Sequence, residues 1–580
     1  MQQGGNKVKK KTWRSFLSVL LVTATLLVTS CSSKPGESSS ASSDSSSEVT
    51  ASSVTTADET WDGTYPVTWK EGKVKLKYFL QLYSSAYSSA GDLYCWQQAE
   101  DLSGVEIEWI HPAAGSNVND ILNLALAGNN LPDIFSTSDS VGGGAEGLAK
   151  MGKLADITDL MDIYAPDYMK FVHEYPMMER SYKQSDGTVR AFKITCEDVK
   201  LPTDGLGVRY DWLEKLNMDP PTTINDWYVM LKAFKEANLD GVDGEVYPWT
   251  SESKSIAADS SHHYLFASAW GMRGKGLYLD PDIHKVTYLT RSNNYKAYVT
   301  EMNRWFSEGL IDPEFITSDS KTFHAKIQNG VSGAAHIFTS GTIGNDTAAA
   351  KANGKEDFWL QGVAYPIADG VTPPSGKGYG WFPETNTFNQ PLGSNGTVIS
   401  SDCKNIKAAV AFLNFPYTEK GLELFNYGVE GETFEWVNGE RIFMDKILHN
   451  PEGKSPADAC IPWCAPVIGG HRPMFAAASS QIRFPLPEQK ASAEIWRAAD
   501  NSILINEGPL KYNDDDLTKI TSILNDIETY RQEMEIKIVM GIEPLSKLDE
   551  VIAQVEKMDI QTAIDIRQKA YDEYLAEYGS

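Results

Sequence analysis

Apolar and polar positions alternate in strand and helix patterns from the start of the chain's body. Lys75–Leu82 (KLKYFLQL) and Val105–Pro112 (VEIEWIHP) show the two-residue alternation of strands. Asn117–Ala127 repeats apolar residues at helical spacing, and Leu131–Thr137 is a short strand entered through a proline turn. Strands that alternate with helices at this spacing predict an α/β layer with a parallel sheet.

Helical spacing dominates the rest of the chain. Thr223 with Asp226 three residues later forms a capping-box-like start for a helix that runs to Ala237. Trp227 and Trp305 lie on apolar helical stripes and are predicted to be core residues. Further amphipathic helices are predicted at Asp211–Leu216, Tyr295–Phe306, Lys404–Phe415, Leu517–Val539 and Ile560–Tyr578.

The first thirty residues differ sharply from the body. A basic start precedes the uncharged, mostly apolar run Phe16–Thr29, which is shorter than the roughly 18 residues that span a membrane. Residues 1–30 are therefore predicted to be a signal peptide. Leu27–Cys31 (LVTSC) resembles a bacterial lipobox, which implies a lipidated Cys31 followed by a Ser/Thr-rich tether over residues 31–67. The alternative is an ordinary signal peptide or anchor helix with an incidental cysteine.

Composition narrows the class of protein. The 580 residues are 42% hydrophobic and 11% aromatic, too apolar for a disordered chain. The 52 basic and 78 acidic side chains give a formal charge of −26, which becomes −31 once the five basic residues before Cys31 are removed. Such an acidic surface argues against nucleic-acid binding. The lipidated N-terminus predicts a body held at the extracellular face of the cell membrane.

Four stretches resemble one family, the extracellular solute-binding lipoproteins of ABC importers (solute-binding protein family 1). They are LALAGNNLPDIF (Leu124–Phe135), the segment Val208–Ala237 beginning VRYDWLEKLNMDPPTT, YGVEGETFEW (Tyr427–Trp436), and Met540–Tyr574 near the C-terminus. The resemblance implies a two-lobed α/β fold of the periplasmic-binding-protein type II, with discontinuous lobes, a hinge and a helix-rich C-terminus. We expect the first lobe at 68–200 and 390–435, and the second at 201–389 and 436–580.

The resemblance also implies a function. A small ligand, most simply an oligosaccharide, would be held between the lobes and delivered to two transmembrane permease subunits driven by a separate ATPase. The body is expected to be a monomer. It is not expected to be an enzyme, because it carries no G-x-S-x-G, H-E-x-x-H or phosphate-loop motif. The alternatives are a lipid-anchored carbohydrate-active enzyme and a surface adhesin or sensor.

Aromatic residues in loops are the candidate ligand contacts, because sugar rings pack their C–H faces on aromatic rings while carboxylates and Arg bind the hydroxyls. Tyr83 ends the first predicted strand, where open α/β sheets place ligands. Trp270 resembles a Trp-Gly position that faces the cleft in the family. The other candidates lie in irregular Gly- or Pro-containing stretches or in the YGVEG motif: Trp249, Trp381, Glu430, Trp463 and Arg472.

Two further features leave alternatives open. Some large family members carry a calcium loop, and the corresponding turn here keeps four oxygen-bearing residues: Asn238, Asp240, Asp243 and Glu245. The turn is short and has Val242 at a ligand position, so it is either a calcium site or a solvated acidic turn. Calcium is the only cofactor considered. Cys460 and Cys464 are either a local disulfide or two free or buried thiols, and Cys95, Cys196 and Cys403 are predicted to be small core residues.

Overall fold

The computed structural model describes residues 61–578 with gaps, all within the compact unit Thr55–Ser580. The gaps are 62, 71, 83–86, 114–115, 138–140, 175, 185, 194, 197–201, 203, 238, 240–244, 253–261, 381–395, 453, 455, 466–474, 477–485, 506–509 and 511. The predicted signal peptide, Cys31 and most of the tether lie outside the described residues. Among the helices that are described, we find none with the length and apolarity needed to cross a bilayer.

The strands are short, and most belong to two separate sheets. In chain order the described residues form β1 Val74–Phe79, β2 Val105–Ile110, β3 Ile134–Ser136, β4 Ala191–Phe192, β5 Thr195–Cys196, β6 Asp204–Arg209, β7 Tyr247–Thr250, β8 Leu277–Leu279, β9 Val286–Tyr288, β10 Ser332–Phe338, β11 Leu360–Gly362, β12 Thr397–Ile399, β13 Phe434–Val437, β14 Glu440–Phe443 and β15 Phe475–Ala476.

Helices cover the sheets and form the C-terminal region. They are α1 Tyr94–Ser103, α2 Val118–Ala127, α3 Gly144–Lys150, α4 Met161–Tyr164, α5 Pro166–Glu174, α6 Pro176–Ser181, α7 Tyr210–Leu216, α8 Ile224–Glu236, α9 Tyr295–Ser307, α10 Ser320–Gln328, α11 Thr347–Ala352, α12 Ile406–Asn414, α13 Glu419–Asn426, α14 Asp445–Leu448, α15 Pro456–Cys460, α16 Pro487–Arg497, α17 Asp514–Val539, α18 Leu548–Lys557 and α19 Ile560–Tyr578. A 3₁₀ segment spans His262–Trp270, and a π-helical segment spans Thr339–Asp346.

The first lobe is built on the sheet β2-β1-β3-β12-β4. β1 pairs in parallel with β2 and β3, which confirms the parallel arrangement predicted for the early strands. β12 returns much later in the chain and pairs antiparallel with both β3 and β4. Trp96 and Phe412, on α1 and α12, stack at 5.7 Å in the buried core of this lobe.

The second lobe is built on the sheet β11-β6-β10-β7. β6 pairs antiparallel with β10 and β11, whereas β7 runs parallel to β10. Its core takes in residues from β6 through β11 and from the C-terminal helices α16 to α19. Trp227 and Trp305 are fully buried there, as predicted.

Helix α8 begins with a capping box, a local pattern that is sufficient to predict where the helix starts. The Thr223 hydroxyl accepts the Asp226 N–H at 3.1 Å, and the Asp226 carboxylate accepts the Thr223 N–H at 2.9 Å. These two bonds satisfy donors that every helix N-terminus leaves unpaired. The capping box is therefore confirmed, with Asp in place of the more common Glu.

The chain passes between the lobes in three places. It leaves the first sheet after Phe192 and enters the second at Asp204, returns between Gly380 and Gly396, and crosses again between Ala465 and Pro487. The short strands β5 and β15, which belong to the first and third crossings, pair in parallel with each other. The discontinuous, two-lobed α/β arrangement agrees with the predicted fold.

One predicted boundary is corrected. Residues 436–465 were placed in the second lobe, but Ile461 and Ala465 pack in the core of the first. The Ala465 N–H also donates to the Phe425 carbonyl at 3.0 Å. The second chain segment of the first lobe, predicted to end at residue 435, therefore extends further. The reason is that the β13–β14 hairpin folds back onto the helices that precede it.

Candidate functional site

The crossings identify the edge of each sheet that adjoins the passage between lobes. β4 ends at Phe192, and the register of β12 with β4 and β3 brings the carboxyl ends of β1, β2 and β3 to the same edge. In the second lobe Asp204 starts β6, so the carboxyl ends of β7, β10 and β11 share its edge. Open α/β sheets place ligands at such carboxyl ends. These two edges together form the candidate site.

In the first lobe, His111 follows β2 and is held in one tautomer. The Ala90 N–H donates to Nε2 at 3.2 Å, so the ring proton is on Nδ1, which donates to the Leu80 carbonyl at 2.7 Å. Thr137 follows β3, and its N–H donates to the Gly396 carbonyl at 3.0 Å, while its buried hydroxyl has no partner among the described residues. Backbone groups thus fix the His111 ring, whereas at Thr137 they fix the backbone and leave the hydroxyl unbonded among the described residues.

In the second lobe, four side chains form what we call the edge cluster: Asp204, His336, Phe338 and Tyr365. Phe338 lies directly opposite Asp204 in the β10–β6 register. The β6–β11 register continues through the bond from the Val363 N–H to the Leu206 carbonyl, and Tyr365 follows two residues later, close enough to Asp204 for the charge of Asp204 to act on its hydroxyl. Residues directly opposite each other share a sheet face, and so do residues two apart on one strand. The side chains of Asp204, His336 and Phe338 therefore belong to one face.

The edge cluster combines a hydrogen-bonded histidine–aspartate pair with an exposed ring. His336 Nε2 donates to Asp204 Oδ2 at 2.9 Å, and both side chains are largely buried. The ring of Phe338 lies 5.0 Å from the His336 ring, edge to face, yet the residue remains 46% exposed. Burial, with a contribution from Asp204, raises the pKa of Tyr365 well above its usual value, so its hydroxyl stays protonated.

The π-helical segment after β10 holds Phe338 in place. The Thr342 hydroxyl accepts the Phe338 N–H and donates to the Phe338 carbonyl at 2.8 Å. Gln489 of α16 donates from Nε2 to the Thr339 carbonyl at 2.7 Å. π-Helical insertions occur frequently at functional sites, and here the segment fixes the backbone that presents an aromatic ring.

A second histidine pair lies at the end of the same segment. His324 Nδ1 is 2.6 Å from Asp346 Oδ2, and Gln328 donates to Asp346 Oδ1 at 2.8 Å. The hydrogen bond to Asp346 raises the pKa of His324, against the effect of burial, and the charges of Asp346 and Glu252 add to the rise. Glu252 follows β7, so a third carboxylate lies near this edge.

Two of the predicted ligand contacts are corrected to core residues. Trp249 is fully buried in β7, with Phe266 and Trp227 edge-on at 4.9 and 5.9 Å. The Pro-containing stretch that suggested a loop is a strand whose tryptophan faces helices. Trp270 is also buried, with its ring 5.6 Å from Tyr298 and its carbonyl accepting a hydrogen bond from Asn294.

The remaining ligand candidates fall into two groups. Trp463 is half-buried beside Tyr94, and the carbonyls of Pro462 and Trp463 accept the first N–H groups of α1 at 3.1 Å. Trp463 therefore belongs to the first lobe, not the second. Glu430 is exposed in the turn before β13. Their contact with ligand stays a prediction, and three candidates lie outside the described residues: Tyr83, Trp381 and Arg472.

The metal and cysteine predictions have different outcomes. Of the four oxygen-bearing residues of the acidic turn, Asn238, Asp240 and Asp243 are outside the described residues and Glu245 is exposed. The described part of the chain contains no group of three or more His, Cys, Asp or Glu side chains that could hold a metal ion. Cys460 and Cys464 are buried and are not joined by a disulfide, and Cys95 and Cys403 are buried in the core as predicted. The side chain of Cys196 is not described.

Sequence reasoning missed the edge cluster. Asp204 and His336 are far apart in sequence, and only strand pairing brings them together. Phe338 did carry a signal, because it ends an apolar strand and precedes the glycine-containing segment TSGTIG. The same reasoning that selected Tyr83 at the end of β1 would have selected Phe338 at the end of β10.

Comparison with known proteins decides the family. Residues 94–423, more than half of the chain, match the sequence model of the family described as bacterial extracellular solute-binding protein. The chain belongs to this family. The chain of this solute-binding protein is also 22% identical over 502 residues to the fructooligosaccharide ABC transporter substrate-binding protein FusA of Streptococcus pneumoniae. The aligned region covers 83% of this chain and 87% of FusA.

Solved structures agree in fold. The S. pneumoniae FusA protein in complex with kestose matches 87% of this chain and all of its own with a TM-score of 0.67 at 20% identity. The alginate-binding protein AlgQ2, in a crystal structure without calcium ion, matches 87% of this chain and 99% of its own with a TM-score of 0.65 at 22% identity. At these identities the likeness establishes the two-lobed fold of the solute-binding protein.

Proposed function

We propose that this solute-binding protein captures an oligosaccharide between its two lobes and delivers it to an ABC importer. The observation that carries the proposal is the similarity to FusA along most of both chains, since FusA is described as a fructooligosaccharide ABC transporter substrate-binding protein. The geometry supports it, because both sheets present fixed polar groups at the edges that adjoin the crossings. A ligand that touches both edges would stabilise the closed arrangement through contacts made in that state alone.

The partners follow from the family and from the N-terminal segment. We infer that lipidated Cys31 anchors the protein at the extracellular face of the cell membrane, with the residues up to 67 as tether and the body a monomer. Two transmembrane permease subunits would receive the ligand, and a separate ATPase would supply the energy. The lipobox-like LVTSC sequence and the Ser/Thr-rich stretch after it support this arrangement.

A thermal-shift screen of the Thr55–Ser580 body tests the proposed function. The ligands would be neutral oligosaccharides, uronic-acid oligosaccharides, peptides and calcium, each with its mass measured after incubation. A ligand at about 100 times its dissociation constant adds about 2.7 kcal/mol of stability. We expect a shift with an oligosaccharide that is recovered intact. A shift with a sugar that is consumed would favour a carbohydrate-active enzyme, and a response to peptides alone would reject the proposal.

A further inference from the structure

The edge cluster has the composition of a binding surface. Its exposed ring, Phe338, has a backbone clamped by Thr342, and it stands beside the buried His336–Asp204 pair. A single exposed apolar side chain is ordinary on protein surfaces and needs no explanation. This ring differs because it ends a strand at the edge adjoining the crossing and shares one sheet face with polar groups.

An unpartnered hydroxyl provides an independent observation. The Tyr365 hydroxyl is buried and has no hydrogen-bond partner among the described residues, although Asp204 lies close enough to affect its pKa. A buried hydroxyl without a partner costs about 1–3 kcal/mol, so native structures rarely keep one. Hydrogen-bonding capacity near Asp204 is thus left unused by the described chain.

The charges near the edge cluster favour one kind of ligand. Three carboxylates lie along this edge of the second sheet, those of Asp204, Glu252 and Asp346, and two of them are paired with histidines. A pyranose or furanose face can pack on Phe338 while its hydroxyls bind carboxylate and imidazole groups. A uronate would instead bring another negative charge into a partly buried acidic environment, where like charges repel strongly.

We propose that the edge cluster is a sugar subsite of the second lobe and that it selects an uncharged sugar unit over a uronate. The inference rests on the proposed function and refines it, because solute-binding proteins of the same fold are described with ligands of both kinds, kestose and alginate. Phe338 supplies the stacking surface and Asp204 the hydroxyl acceptor. His336 orients the Asp204 carboxylate.

Isothermal titration calorimetry on the Thr55–Ser580 body tests the subsite. The probes are three neutral trisaccharides, 1-kestose, raffinose and maltotriose, and one acidic trisaccharide, trigalacturonate. The variants are Phe338→Ala and Asp204→Asn. Trp436→Ala is the matched control, since Trp436 is 45% exposed on the β13–β14 hairpin of the other lobe. Melting temperatures without ligand establish that each variant folds.

We expect at least one neutral trisaccharide to bind more tightly than trigalacturonate. Phe338→Ala should weaken that binding by about tenfold, the size of effect seen when a central aromatic contact is truncated. Trp436→Ala should change it less than about twofold, and Asp204→Asn should narrow the gap between neutral and acidic sugars. Tighter binding of trigalacturonate, or an unchanged affinity in Phe338→Ala, overturns the subsite but leaves the proposed function standing. Failure of all four sugars to bind also overturns the subsite, and the wider thermal-shift screen then decides the proposed function.

Discussion

Arg531 and Glu535 form a fully buried ion pair on α17, with Nη1 and Oε2 2.7 Å apart. A second carboxylate, Glu528, lies 2.7 Å from Nη2, and the Tyr295 and Tyr298 hydroxyls donate to Glu535. Glu528 and Glu535, the two carboxylates that pair with this guanidinium, thus both belong to the second lobe. The network ties α17 to α9 through the two tyrosines, and to the loop that follows Trp270 through the bond from Arg531 Nη2 to the Gly274 carbonyl.

Removal of Arg531 is predicted to be strongly destabilising. Arg531→Met leaves Glu528 and Glu535 buried without their cation, and breaking such a pair costs about 3–5 kcal/mol. Lys537→Met is the control, because the Lys537–Glu533 pair on the same helix is exposed to solvent and should contribute far less to stability. Denaturant unfolding of both variants measures the two costs. Equal losses of unfolding free energy in the two variants would show that the buried Arg531 network stabilises the fold no more than an exposed ion pair does.

The His324–Asp346 pair predicts a pH dependence of stability. Because the folded state raises the pKa of His324, protonation of its ring favours folding. The stabilisation should be complete below pH 6.5, the usual pKa of histidine, and should decline as the pH rises through the higher folded value. We expect the stability difference between the native chain and His324→Gln to be largest at pH 5–6 and smaller at pH 8–9. A difference that grows with pH would contradict the assignment.

Close packing of β6 against α16 predicts that Gly205 tolerates no side chain. A Cβ at Gly205 would lie 2.6 Å from the Trp496 indole, which is itself held by a hydrogen bond to the Leu206 carbonyl. Gly205→Ala should cost about 1–3 kcal/mol, as overpacked cores do. Gly341→Ala, where the nearest atom is 3.7 Å away, is the matched control. Similar melting temperatures for both variants would refute this packing.

The buried thiols predict a labelling pattern. Cys460 and Cys464 are not joined by a disulfide, and the Cys464 thiol donates to the Cys460 carbonyl at 3.5 Å. Protein purified without reductant should be alkylated at both cysteines after unfolding, and far more slowly when folded because both are fully buried. Peptide mass mapping reports the labelled residues. Resistance of both to alkylation in denaturant would instead reveal the disulfide.

Local patterns predicted the elements, but not which side chains meet. The helix from Thr223 and the parallel strands β1 to β3 followed from spacing and capping alone. Trp249 and Phe338 show the limit, because one was expected at the ligand and lies in the core, while the other was not considered and lies exposed. Which face of a strand is covered depends on the elements packed against it. The spacing of apolar residues along the chain does not contain this tertiary information.

The lobe boundary failed for a related reason. Residues 436–465 follow the motif that marked the expected end of the first lobe, and their composition does not reveal which core receives them. The contact of Ile461 and Ala465 with the first-lobe core is long-range. By contrast, Phe338 of the edge cluster could have been predicted from the sequence. It is an aromatic residue that ends a strand, which is the same signal that selects Tyr83.

Native mass spectrometry of the Thr55–Ser580 body mixed with a library of neutral and acidic oligosaccharides tests the central claim most directly. The protein should gain the mass of one intact oligosaccharide, and the unbound library should remain unchanged over time. An unmodified protein mass in every mixture, or the appearance of shortened sugars, would contradict capture and delivery of an oligosaccharide.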